Sequence, residues 1–166
     1  RPDLRPKAYD DQALPTLHGQ TISQPYIVAL MTSILDPQPT DRVLEVGTGS
    51  GYQTAILGRL AGKVYSIERD AELTNQARRA LNELGVGGVT LRTGDGSAGW
   101  EEAAPFDGML VTAGAPTVPD ALEGQLADGG KLVVPVGGRA VQQLICRTRR
   151  GETFQTTTGI DCRFVP

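Results

Sequence analysis

The chain has 166 residues, a net charge of −3 and 21% charged residues, enough length for one domain with its own core and no need of disulfide or metal staples. The acidic balance excludes the basic footprint of a nucleic-acid or anionic-membrane binder. No apolar run approaches the roughly 20 residues of a membrane span, and nothing at the N-terminus resembles a secretory signal.

Residues 1–20 carry Pro2, Pro6 and Pro15 with little periodicity and read as an irregular N-terminal arm, followed by a single domain over 21–166. A chain that starts at Arg1 reads as a trimmed or ordered fragment. Ile27, Leu30, Met31, Ile34 and Leu35 share one helical face that Asp36-Pro37 closes. A strand at 42–46 runs into a glycine-rich turn and a helix at 51–61. Gly62-Lys63 then leads to a strand at 63–68 and a helix ending at Gly85, a C′ glycine. Strands follow at 89–92, 106–112 and 131–136, with a short helix at 118–126 between the last two. The pattern then becomes strand after strand, at 141–149 and 154–165 with a turn at Gly151. The expected fold class is α/β: a Rossmann-like, doubly wound, mostly parallel sheet with an antiparallel C-terminal hairpin and helices on both faces. Cys146 and Cys162 lack CxxC spacing; they read as free thiols of a reducing cytoplasm, and no metal site is expected.

The chemistry concentrates on Leu44-Glu45-Val46-Gly47-Thr48-Gly49-Ser50-Gly51. A strand, a glycine turn and a helix in that order gather unpaired backbone N–H groups and a helix N-terminus at one spot, which suits a nucleotide-like ligand. A dinucleotide fingerprint would need Gly at position 52, where Tyr52 stands. Glu68 ends the next strand, about where a Rossmann-type fold places the carboxylate that takes both ribose hydroxyls. Loop, spacing and acid together are similar to motif I and its successor in class I S-adenosylmethionine-dependent methyltransferases. An open α/β sheet binds ligands outside the carboxyl ends of its strands. The candidates there are Gly47, Thr48, Gly49 and Gly51 of the loop, Glu68, Asp95 and Gly96 after the third strand, and Thr112 after the fourth. Asp95 reads either as an adenine-amine acceptor or as a turn Asp in an Asx motif. Glu45 reads as support for the loop N–H groups rather than a ligand contact.

Ser23 has two readings. It precedes Gln24-Pro25 and an amphipathic helix, as an N-cap does; alternatively its hydroxyl meets the substrate at the mouth of the crevice. His18, the only histidine, has no acid or nucleophile at a recognisable spacing. Trp100 reads as a packing residue, and Arg147, Arg149 and Arg150 as a solvated strand face and turn.

The stretches Gly19-Gln20-Thr21-Ile22-Ser23-Gln24-Pro25, Leu44 to Ala55, Gly94-Asp95-Gly96 with Gly99-Trp100, Ala104-Pro105-Phe106-Asp107, Val111-Thr112-Ala113 and Pro135-Val136-Gly137 together resemble the protein-L-isoaspartate O-methyltransferases, over nearly the whole chain. The resemblance implies that Ser23 is the active-site serine, with Gln20, Thr21 and Ile22 beside the cofactor. It implies that Gly47, Glu68, Arg69, Asp95 and Gly96 bind S-adenosylmethionine, that backbone around Val165 holds the isoaspartyl group, and that the methyl ester closes to a succinimide that opens partly to aspartate. Family members carry a helical segment before the arm and continue past Pro166. The expected partner is an isoaspartyl protein or peptide, with no nucleic acid and no membrane, the chain acting as a cytoplasmic monomer. Two other readings stand beside this one: methylation of an aspartate in a dedicated precursor peptide, and a non-catalytic binding module on the same fold.

Overall fold

The computed structural model describes residues 2–16 and 18–165; Arg1, Leu17 and Pro166 lie outside them. A 3-10 helix (Pro2–Lys7) and two short strands, β1 (Leu14–Pro15) and β2 (Thr21–Ile22), precede α1 (Pro25–Leu35). Then come β3 (Arg42–Val46), α2 (Tyr52–Leu60), β4 (Lys63–Glu68), α3 (Ala71–Glu83), β5 (Val89–Thr93), β6 (Phe106–Val111), α4 (Asp120–Gly124), β7 (Leu126–Gly137), β8 (Gln142–Arg150) and β9 (Thr153–Cys162).

Seven strands form one sheet in the order β5-β4-β3-β6-β7-β8-β9. The first five are parallel, and β8 runs antiparallel to both its neighbours. Strand alternation divides the core between the two faces. Val43, Val64, Leu110 and Val133 join Ile27, Met31 and Leu35 of α1 and Leu57 of α2. Their chain neighbours Leu44, Met109, Val111, Leu132 and Val134 meet Leu122 of α4 and Phe106 on the other side. The apolar runs of β3, β6 and β7 are continuous because both of their faces are covered. The expected class is the observed one.

Helix ends follow local chemistry. Asp70 caps α3, accepting from the N–H groups of Glu72 (2.8 Å) and Leu73 (3.2 Å), and Gly85 takes φ 62° after its end. Pro25 is the first residue of α1 and Gln24 its N-cap, with no side-chain capping bond. Ser23 is therefore not the cap.

Three expectations change. The arm is more regular than its composition suggests, because a 3-10 turn has no 3.6-residue signature and β1 finds its partner across a turn: Leu14 pairs with Ile22 and Pro15 with Thr21. The fifth strand starts at Leu126 rather than 131, since Asp128-Gly129-Gly130 is a bulge against β6 that breaks the apolar run. Arg147 is only partly solvated: it ion-pairs with Glu123 and lies 5.7 Å from the Phe154 ring. Trp100 packs edge-on to Tyr65 at 5.2 Å, with the Arg92 guanidinium over its face. Among the described residues no helix is long and apolar enough to cross a membrane.

Candidate active site

Strand order reverses at β3 and β6: from β3 the chain winds outward through β4 to β5, and from β6 outward through β7. The loops after these two strands part at that point, as at the switch point of any doubly wound sheet. A cavity of about 430 Å³ opens there, within the roughly 300–1,000 Å³ usual for small-molecule sites.

Most of the expected residues converge on it. Gln20, Thr21, Ile22 and Ser23 line it from the arm, Gly47 and Gly49 from the loop, Glu68 and Arg69 from the end of β4, Asp95 and Gly96 from the end of β5, and Thr112 and Val165 from the far wall. A Cβ on Gly49, where φ is 53°, would meet no protein atom within 4 Å. Gly49 also lines the cavity, and with no side chain there the loop leaves a ligand room to approach its backbone. A Cβ on Gly96 would collide with Val46 Cγ1, which ties the β5 loop closely to the β3 end.

Thr48 and Gly51 stand apart from the cavity. The Thr48 hydroxyl is buried 2.6 Å from Ser66 Oγ, and Gly51 abuts Ala77 of α3, 3.2 Å from where its Cβ would be. Both brace the loop from behind, Thr48 against β4 and Gly51 against α3.

Glu68 holds the loop in place. One of its carboxylate oxygens accepts from Gly49 N–H at 2.9 Å and the other from Asp70 N–H at 3.0 Å. Thr112 secures the other end, its hydroxyl donating to the carbonyl of Gly47 at 2.5 Å. Glu45, expected to support the loop amides, does not touch them. It points from the middle of the sheet toward α2, where one oxygen accepts from Thr54 Oγ1 (2.5 Å) and Ser66 Oγ (2.6 Å). Its other oxygen is buried with no partner among the described residues, and burial pushes its carboxyl up to about 7. Asp95 takes the Asx geometry, accepting from Ser97 N–H at 2.9 Å, which holds its carboxyl below the usual range.

A second cavity, of about 330 Å³, adjoins the first. Gln20, Thr21, Ser23, Ile27, Thr112, Phe164 and Val165 line both. The Ser23 hydroxyl has no hydrogen-bond partner among the described residues and stands where the two spaces meet. The Val165 carbonyl accepts from Gly114 N–H (3.0 Å), and Phe164 N–H donates to the buried Gln142 side chain (2.8 Å). These bonds seat the C-terminal segment on this junction.

Two contributions escaped the sequence reading. Gln53, in the first turn of α2, lines the cavity and donates to Thr32 Oγ1 at 3.0 Å; its place just after the glycine turn was the available signal. His18, for which no partner was recognisable, lies with Nδ1 2.5 Å from Asp70 and Nε2 3.4 Å from Glu72. No local signal could pair residues 52 positions apart.

The family model described as "Protein-L-isoaspartate(D-aspartate) O-methyltransferase" matches residues 2–166. A protein-L-isoaspartate O-methyltransferase of Syntrophus aciditrophicus is 54% identical over 98% of this chain and 76% of its own length. One from an Anaeromyxobacter species is 57% identical over 99% and 79%. A Plasmodium falciparum structure carrying the same enzyme name, in complex with S-adenosyl-L-homocysteine, superposes with a TM-score of 0.84 at 26% identity, covering 95% of this chain and 80% of that one. With a switch-point cavity, a glycine loop pinned by Glu68 and a free serine hydroxyl at its mouth, the chain belongs to the protein-L-isoaspartate(D-aspartate) O-methyltransferase family.

Proposed function

We infer that the larger cavity holds S-adenosylmethionine, that the smaller admits an isoaspartyl side chain of a protein or peptide, and that the chain methylates its α-carboxylate where the two meet. The observation that carries this reading is the position of Ser23, which lines both cavities with its hydroxyl unclaimed among the described residues.

The cofactor fits the residues present. The open space beside Gly49 lets adenosyl and methionyl groups lie against backbone. Glu68, although it accepts two N–H groups, keeps a further lone pair on each oxygen for the ribose hydroxyls. Arg69, Asp95 and Gly96, which line the cavity, would take the adenine, and Gln20, Thr21, Ile22, Gly47 and Thr112 line it too.

When bound, S-adenosylmethionine supplies a methyl group on a positively charged sulfur, so a carboxylate oxygen forms its C–O bond as the S–CH₃ bond breaks and S-adenosylhomocysteine is left. A carboxylate is already ionised at neutral pH, so no side chain has to take a proton. What the chain contributes is alignment and exclusion of water. Ser23 Oγ donates a hydrogen bond that fixes the carboxylate, and the Val165 backbone, held through Gly114, forms the opposing jaw. Ile27 and Phe164, both buried, dry the junction.

The substrate is a protein or peptide, and a cytoplasmic location accords with free Cys146 and Cys162. Incubation with labelled S-adenosylmethionine and paired peptides differing only in aspartate or isoaspartate tests the reading. Label on the isoaspartyl peptide alone is expected. Label on the aspartyl peptide would favour a precursor-peptide modifier, and label on neither a binding module.

A further inference from the structure

The arm forms a strap that lines the larger cavity with Gln20 to Ser23 and is anchored at two points. At one end, Asp11 accepts from Tyr26 N–H in the first turn of α1 at 3.1 Å. From there β1 and β2 pair, and Thr16 N–H donates to Gln20 O at 2.8 Å to close the turn between them. The turn ends in two left-handed residues, His18 (φ 53°) and Gly19 (φ 72°). Residues other than Gly are uncommon in that conformation, with Asn, Asp and His the usual exceptions. Here the imidazole reaches the start of α3, with Nδ1 2.5 Å from Asp70 and Nε2 3.4 Å from Glu72. These two are the charged groups that face it among the described residues. With a carboxylate against each ring nitrogen, only the doubly protonated ring can donate on both sides.

The contact continues into the cavity wall. Asp70 N–H donates to one oxygen of Glu68, whose other oxygen holds Gly49 N–H. The strap's own residues Gln20 to Ser23 line the same cavity. The tip of the strap is thus joined to the glycine loop by one short series of hydrogen bonds.

We propose that His18 is a positioning residue that latches the β1–β2 strap beside the cofactor cavity through Asp70 and Glu72, so that the charge on its imidazole governs how fast spent cofactor leaves. The proposal rests on the reading that this cavity holds S-adenosylmethionine. The hydrogen bond to Asp70 raises the imidazole above its ordinary range, so the latch is complete at low pH and is lost as pH rises through that raised value.

The test measures S-adenosylhomocysteine dissociation by stopped flow from pH 5.5 to 8.5 in wild type, His18→Ala, His18→Lys and Asp70→Asn. Amide exchange of residues 11–23 in the ligand-free protein is followed in parallel and corrected for intrinsic pH dependence. Because the pair is exposed, wild-type release should speed up by about two- to fivefold across the range, with strap protection falling alongside. His18→Ala should release fast at every pH. His18→Lys, a permanent cation, should release slowly at every pH. Asp70→Asn keeps an oxygen to cap α3 but loses the charge, and should move the transition to lower pH. Identical pH profiles for wild type and His18→Ala in both release and exchange would overturn the latch. If wild type fails to bind S-adenosylhomocysteine, the cavity assignment falls instead, and exchange in the ligand-free protein still decides the latch.

Discussion

The Thr112 hydroxyl donates to the carbonyl of Gly47, and a Cβ added to Gly47 would collide with that same oxygen. Position 47, at φ 101°, thus excludes a side chain twice over, by backbone conformation and by the neighbour that fixes the loop. Gly47→Ala should cost about 1–3 kcal/mol of stability and weaken cofactor binding. Thr112→Ala should be less harmful in the Gly47→Ala background than in wild type, because it relieves the collision as well as removing the bond. Thermal melts and calorimetry on the four proteins of this double-mutant cycle check it; additive losses would mean the two residues are not coupled.

Ser23→Ala should lower kcat/KM for an isoaspartyl peptide by roughly 10- to 100-fold, the worth of one hydrogen bond to a charged group. Cofactor affinity should stay unchanged, since the hydroxyl serves the substrate side of the junction. Equal losses in turnover and cofactor affinity would reassign Ser23 to a structural role.

Glu68→Gln should weaken cofactor binding by roughly tenfold or more, because the new amide turns a donor toward either Gly49 N–H or Asp70 N–H and leaves that group unpaired. The Gly49 amide should also exchange faster in the ligand-free protein. Unchanged affinity by calorimetry would count against the ribose assignment.

Glu45 predicts a pH dependence of stability. Burial raises its carboxyl from 4.5 to about 7, so the native state binds this proton more tightly than the unfolded chain does. The resulting stability is complete below about 4.5 and is lost as pH rises through about 7. Wild type should therefore lose more Tm between pH 5 and pH 8 than Glu45→Gln, which cannot ionise; His18 adds the same slope to both. Parallel Tm curves would show that Glu45 keeps one charge state throughout.

Much of the fold was legible because its signals are local. Short apolar runs marked β3, β6 and the core of β7 as strands. Asp36-Pro37 and Gly85 marked helix ends, and Gly47 to Gly51 followed by Glu68 marked the crevice. Boundaries failed where geometry departs from the ordinary periods, as in the 3-10 turn of the arm and the bulge at Asp128-Gly129-Gly130.

Within the site, residue types and spacings selected most of the cavity wall, because a strand, a turn and a helix of set lengths reach the switch point whatever surrounds them. Which way each side chain turns there is a matter of packing. Thr48 faces Ser66 rather than the ligand, Glu45 faces Thr54, and Ser23 is left free because Gln24 takes the cap. The sequence by itself determined the strand and helix segments, the glycine turn and the place of the acid after β4, since apolar periods and turn residues are marked locally in the chain. Only the tertiary structure decided that Ser23 stands between two cavities and that His18 meets Asp70, because hydrogen-bond partners far apart in sequence are chosen by how helices and sheet come together.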